Sequence, residues 1–152
     1  MQRIASFQVN HDTLEKGMYI SRVDDDIVTY DIRMKRPNSG DYLDNASIHT
    51  FEHLFATYAR NSKHQNSIVY IGPMGCLTGF YLLTRNSITH SEVIALIREC
   101  FDFITRFEGD IPGSAKVECG NYFLHDLNGA KALARDMTRV LAQWGKDNLN
   151  YM

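Results

Sequence analysis

Three cysteines in 152 residues is few, and an odd number, with no scaffold-like spacing. Small secreted frameworks use cysteine densely and in pairs, so a disulfide-stapled fold is excluded. The thiols are then free for metal binding or chemistry, and a reducing, cytoplasmic setting fits them. No long Lys/Arg run is present and the formal net charge is -2. Neither nucleic acid nor an anionic membrane is therefore the expected partner. No stretch approaches the roughly 20 apolar residues that span a bilayer. The N-terminus lacks the apolar segment of a secretory leader. Internal repeats and low-complexity linkers are also missing. The expectation is a single domain over residues 1–152, large enough for a proper core.

Against these absences stands one dense segment, His49-Thr50-Phe51-Glu52-His53. On a helix, positions i and i+4 share a face, so two imidazoles there can grip one metal ion. Glu52, three residues after His49, projects from nearly the same face as a candidate acid or base. The order His-x-x-Glu-His is the inverted zinc motif. Ile48, Phe51, Leu54, Phe55 and Tyr58 recur at three- and four-residue steps, which predicts a helix with an apolar stripe. Asp44, Asn45 and Ser47 offer capping side chains upstream.

Elsewhere, Met18–Val23 and Ile27–Met34 read as strands around the acidic turn Asp24-Asp25-Asp26, with a loop over Lys35–Asn45. The motif helix runs to about Lys63. Ser67–Ile71 and Thr78–Thr84 read as further strands about the turn Gly72-Pro73-Met74-Gly75. Thr89 or Ser91 caps a second helix through Ile104, and a third spans Leu127–Trp144. This order predicts an α+β fold: an antiparallel β-sheet with helices packed on one face.

An open catalytic metal site needs three protein ligands. Cys100, among Ile97, Phe101 and Ile104, reads as a buried apolar thiol. Cys76, after a glycine turn, and Cys119, before Gly120, both stay open as the third ligand. His64 and His90 read as surface or helix-end residues, and His125 as a cap or brace of the third helix. His11 lies in a polar N-terminal stretch. Arg33 reads as either a solvated strand residue or an anion clamp.

Several blocks in this order carry a resemblance. They are Ser6-Phe7 with His11, Asp31-Ile32-Arg33 followed by Pro37-Asn38, the His49–His53 motif, Pro73-Met74-Gly75-Cys76-Leu77-Thr78-Gly79-Phe80-Tyr81, Glu118-Cys119-Gly120, and His125-Asp126-Leu127. The chain resembles the S-ribosylhomocysteine lyase family, whose members make the autoinducer-2 precursor, nearly end to end. By position, His49, His53 and Cys119 match the family's metal ligands, Cys76 its catalytic thiol and Glu52 its second acid/base. Ser6, His11 and Arg33 match its substrate-binding residues. The resemblance implies Fe2+, with Zn2+ or Co2+ able to substitute. It also implies the substrate S-ribosylhomocysteine and a homodimer with active sites at the interface. Ser6, His11 and Arg33 are then expected to serve the partner's metal centre, apart from Cys76. Asn10, Met34 and Leu77 depart from the family pattern; Asn10 stands where an aspartate usually orients the histidine.

Two other readings compete. An inverted-motif metallopeptidase would use Glu52 to activate water, but such chains are much longer and take a distant glutamate as third ligand. A non-catalytic metal domain would not need Cys76 beside a glycine turn.

Overall fold

A computed structural model describes residues 1–152. Four strands form one antiparallel sheet in the order β1-β2-β4-β3: β1 (Gly17–Asp24), β2 (Ile27–Arg33), β3 (Ile68–Pro73) and β4 (Gly79–Arg85). The strands lie within about two residues of their expected bounds. Register pairs Ile32 with Phe80 and Tyr30 with Leu82, which puts these four apolar side chains on one face. That face is covered by α1 (Asn45–Arg60), α2 (His90–Arg106) and α3 (Leu127–Val140). The expected fold is therefore the observed one.

Local chemistry explains each helix start. Asp44 caps α1, accepting from Ser47 N. Thr89, not Ser91, caps α2 in a reciprocal capping box with Glu92. Asp126 caps α3 by accepting from Gly129 N. The helix predicted to reach Trp144 stops at Val140. Apolar periodicity persists to Trp144, but Trp144 leaves the helix to donate from Nε1 to Met18 O at 2.8 Å.

Phe51, Phe55, Phe80 and Phe101 meet at ring centroid distances of 5.1–6.4 Å. All four are fully buried. These contacts lock α1 between sheet and α2, and aromatic pairs of this kind add about 0.5–1.5 kcal/mol each beyond burial. With its apolar stripe so fixed, α1 must turn the flank carrying His49 and His53 toward the segment between α2 and α3.

The opposite sheet face is only partly covered. The C-terminal segment crosses the β1 edge, where Tyr151 stacks on Tyr19 at 5.0 Å and donates to Asp31 Oδ2 at 2.7 Å. Tyr70 remains 54% exposed there. No helix is long and apolar enough to cross a membrane.

Candidate functional site

His49 and His53 sit one turn apart on α1, and their Nε2 atoms approach to 3.1 Å. Each Nδ1 faces a backbone carbonyl: Leu124 O at 2.6 Å for His49 and Pro112 O at 2.8 Å for His53. A carbonyl only accepts, so both Nδ1 atoms carry the proton and both Nε2 atoms present lone pairs. Two bare nitrogens at that distance repel unless a proton or a metal ion lies between them. The carbonyls are the outer partners that commonly fix the tautomer of a ligating histidine.

The long segment between α2 and α3 supplies the rest. Cys119, half-buried and held in a turn by Cys119 N donating to Ala115 O, places Sγ 3.4 Å from His49 Nε2. His125 lies against the same centre, stacked on His49 at 4.0 Å, with Nε2 3.9 Å from Cys119 Sγ. The ligating atoms of His49, His53, Cys119 and His125 all lie within 4.8 Å of one another. Three imidazoles and a thiol, with the lone-pair conflict just described, fit a divalent metal such as zinc, iron or cobalt.

His125 is a correction. It was expected to cap or brace α3, but Asp126 does the capping and His125 points into the metal-type cluster. The signal missed was its seven-residue neighbourhood with Cys119, too irregular for any spacing rule. Burial, reinforced by the nearby charges His49 and His53 would carry, holds His125 below the ordinary histidine range.

Glu52 is half-buried, and its side chain makes no hydrogen bond within the chain. It lines a groove of about 380 Å³ with His53, Ala56, Ile71, Pro112 and Gly113. Larger hollows of about 620 and 540 Å³ lie where α1 meets α2, around Tyr58, Glu99 and Phe103. No converging donor set lines them, so the chemistry is assigned by donors and not by volume.

Cys76 forms a second cluster. It is exposed at the tip of the β3–β4 turn, where Leu77 is held at φ +61° and Leu77 N donates to Met74 O. Cys76 Sγ lies 3.0 Å from Thr78 Oγ1, which accepts from Arg33 Nη1 at 2.7 Å. Arg33 is buried, and its Nε and Nη2 donate to Asp31 at 3.1 and 2.6 Å. It is neither solvated nor free to offer that edge to a ligand carboxylate. Arg33 and Cys76 therefore share one chain's cluster, contrary to the expected division between subunits. No hydrogen bond or ion pair joins this cluster to the histidine–cysteine cluster.

Ser6 lies in a short 3-10 turn (Ala5–Phe7) and borders a hollow on the open sheet face with Ser21, Thr29, Tyr70 and Tyr81. His11 Nδ1 meets Val9 O at 2.9 Å, so a backbone carbonyl orients it where an aspartate was expected to be missed. Asn10 instead accepts from Asp12 N. Neither Ser6 nor His11 contacts the metal-type cluster within the chain.

Comparison with known proteins identifies the family. The family model for S-ribosylhomocysteinase (LuxS) matches residues 4–148. The S-ribosylhomocysteine lyases of Phocaeicola vulgatus and Clostridium acetobutylicum are 46% and 44% identical, over 99% of this chain and 98% and 99% of theirs. That of Porphyromonas gingivalis is 45% identical, with 99% of each covered. With matches of this extent, the chain belongs to the S-ribosylhomocysteinase (LuxS) family.

Proposed function

We propose that this chain cleaves S-ribosylhomocysteine to homocysteine and 4,5-dihydroxy-2,3-pentanedione, with a divalent metal held by His49, His53 and Cys119. The carbon–sulfur lyase activity goes with family membership; the metal, its ligands and the division of labour are the proposal. The observation that carries it is the pair of Nε2 lone pairs converging with Cys119 Sγ. Fe2+ is the proposed physiological ion, with Zn2+ or Co2+ as substitutes, and a thiolate donor beside two imidazoles suits all three.

The substrate dictates what the residues must do. A thioether on an unactivated carbon is a poor leaving group. It departs readily once the neighbouring C4 proton is made acidic by a carbonyl at C3. The sugar carbonyl begins at C1, so it must move to C2 and then to C3. When bound, the metal supplies Lewis acidity toward the sugar oxygens.

Cys76 takes the C2 proton and returns it at C1, then takes the C3 proton and returns it at C2. Thr78, fixed by Arg33, orients Sγ for both transfers. Glu52, free of competing hydrogen bonds, carries protons between hydroxyls and removes the C4 proton as the C5–S bond breaks. The C5–S electron pair leaves with homocysteine sulfur, which is then protonated. The remaining enol becomes the dione. Ser6 and His11 bind the distal part of the substrate.

We place these steps in a homodimer with active sites at the interface. The separation of the Cys76 and His49–His53 clusters within the chain supports this, as does the exposed Tyr70 on the open sheet face. Three unpaired cysteines support a cytoplasmic setting.

The test is release of homocysteine thiol from S-ribosylhomocysteine, read with a thiol-detecting dye, beside metal content. Cys76→Ala and Glu52→Gln should keep full metal and lose turnover by orders of magnitude. His53→Ala should lose metal and activity together. Full metal occupancy in His53→Ala would overturn the ligand assignment; no thiol release from the loaded protein would overturn the reaction.

A further inference from the structure

Three imidazoles meet at the metal-type centre, and their hydrogen bonds do not set them alike. His49 and His53 donate from Nδ1 to carbonyls and are left with bare Nε2 atoms. His125 differs because its Nδ1 faces a hydroxyl, Thr50 Oγ1, at 3.0 Å. Thr50 is fully buried, and its oxygen already accepts from Asp126 N at 2.9 Å. A hydroxyl has one proton to give. No other acceptor lies within its reach, so that proton goes to His125 Nδ1. Were Nδ1 the donor, the buried Thr50 hydroxyl proton would have no partner, at a cost that buried groups rarely bear.

A neutral imidazole accepting at Nδ1 carries its proton on Nε2. That atom is the one 3.9 Å from Cys119 Sγ. Stacking on His49, with ring planes 18° apart, keeps the Nε2–H edge beside the sulfur.

We infer that His125 is not a fourth ligand but an N–H donor to the Cys119 thiolate, its tautomer fixed by the relay Asp126 N–H to Thr50 Oγ1–H to His125 Nδ1. This rests on the metal reading given above. An N–H directed at a ligating sulfur draws electron density from it, so the bound ion keeps more of its charge for the sugar oxygens. It also leaves a coordination position open, which a fourth protein ligand would close. His125 is thus a positioning residue that acts through Cys119, and partners of this kind are worth roughly 10–100-fold in metal affinity or activity.

The decisive measurement needs no substitution. Long-range 1H–15N correlation of the imidazoles, with and without one equivalent of Zn2+, reports which nitrogen of each ring is protonated. His49 and His53 should be protonated at Nδ1 in both states, with Nε2 moving on zinc addition. His125 should be protonated at Nε2 in both. A His125 Nε2 that is bare and moves with the other two would make it a ligand and overturn the inference. If no ring responds to zinc, the metal reading itself fails and this inference with it; an altered His125 alone sinks only the latter.

Cobalt gives a second readout. In Co2+-loaded His125→Ala, the sulfur-to-cobalt charge-transfer band should move to longer wavelength while the d–d bands hold their intensity. His125→Gln, which retains an N–H donor, should move the band back toward its original position. A changed d–d intensity, meaning a changed coordination number, would overturn the inference.

Discussion

The three cysteines show how environment separates identical side chains. Cys76 is exposed at a turn, Cys119 is half-buried in the metal-type cluster, and Cys100 is sealed in the core. Burial pushes the Cys100 thiol well above its ordinary range, so it is inert as a nucleophile. Alkylation with iodoacetamide, followed by mass spectrometry, should modify Cys76 first. Cys119 should react more slowly and become protected when Zn2+ is added, while Cys100 reacts only on unfolding. Early labelling of Cys100 would mean that the core around Phe101 opens more readily than its burial implies. Leu77, next to Cys76, holds a left-handed backbone that costs a non-glycine residue about 1–2 kcal/mol. That strain is retained beside the proposed base, where the turn must present Sγ outward.

At the scale of elements, the site depends on how closely α1 and α3 approach. A Cβ at Gly129 would come within 2.0 Å of Ser47 Oγ and 2.7 Å of Asp126 Oδ2. Gly129→Ala should therefore destabilise by about 1–3 kcal/mol, as overpacking does. It should also weaken metal binding, because Leu124 O and His125 ride on the segment entering α3. Adding Ser47→Ala removes the nearer clashing atom, and chemical denaturation of the double variant should recover part of the loss. No recovery would place the strain elsewhere.

The α1 cap makes a pH-dependent prediction. Hydrogen bonds from the Ser47 side chain and backbone hold the Asp44 carboxyl below its usual value. A depressed carboxylate stabilises the fold above its unfolded pKa and loses that contribution as pH falls through the folded one. Asp44→Ala should cost about 1 kcal/mol at neutral pH. The gap between the two proteins should close between about pH 5 and pH 2. A gap that stays constant on acidification would mean that the carboxylate charge contributes nothing.

For the whole molecule, the two clusters set how subunits can complement one another. Arg33, Thr78 and Cys76 are bonded within one chain, whereas Glu52 travels with His49 and His53 on α1. If each active site takes one cluster from each subunit, mixing Glu52→Gln with Cys76→Ala gives mixed dimers with one intact site and one doubly defective site. Random pairing makes about half the dimers mixed, so roughly a quarter of sites should be active by symmetry. Mixing Arg33→Ala with Cys76→Ala should restore nothing, because each variant spoils the same cluster. Complementation by that second pair, or none by the first while mixed dimers form, would refute the shared site.

Much of this was legible in the residues alone. Alternation and punctuation placed the strands, because strand and turn chemistry is local. The i, i+4 histidines declared themselves, because helical periodicity is also local. The family blocks named Cys119 and Cys76. Only the tertiary structure decided the rest, for the physical reason that hydrogen-bond partners distant in sequence carry no periodic signal. It moved His125 from helix brace to the metal-type centre, where a Thr50 hydroxyl and a Cys119 sulfur claim its two nitrogens. It ended α3 at Val140 so that Trp144 could reach a carbonyl 126 positions earlier. And it buried Arg33 against Asp31, because a charge taken out of water must find its partner within the fold.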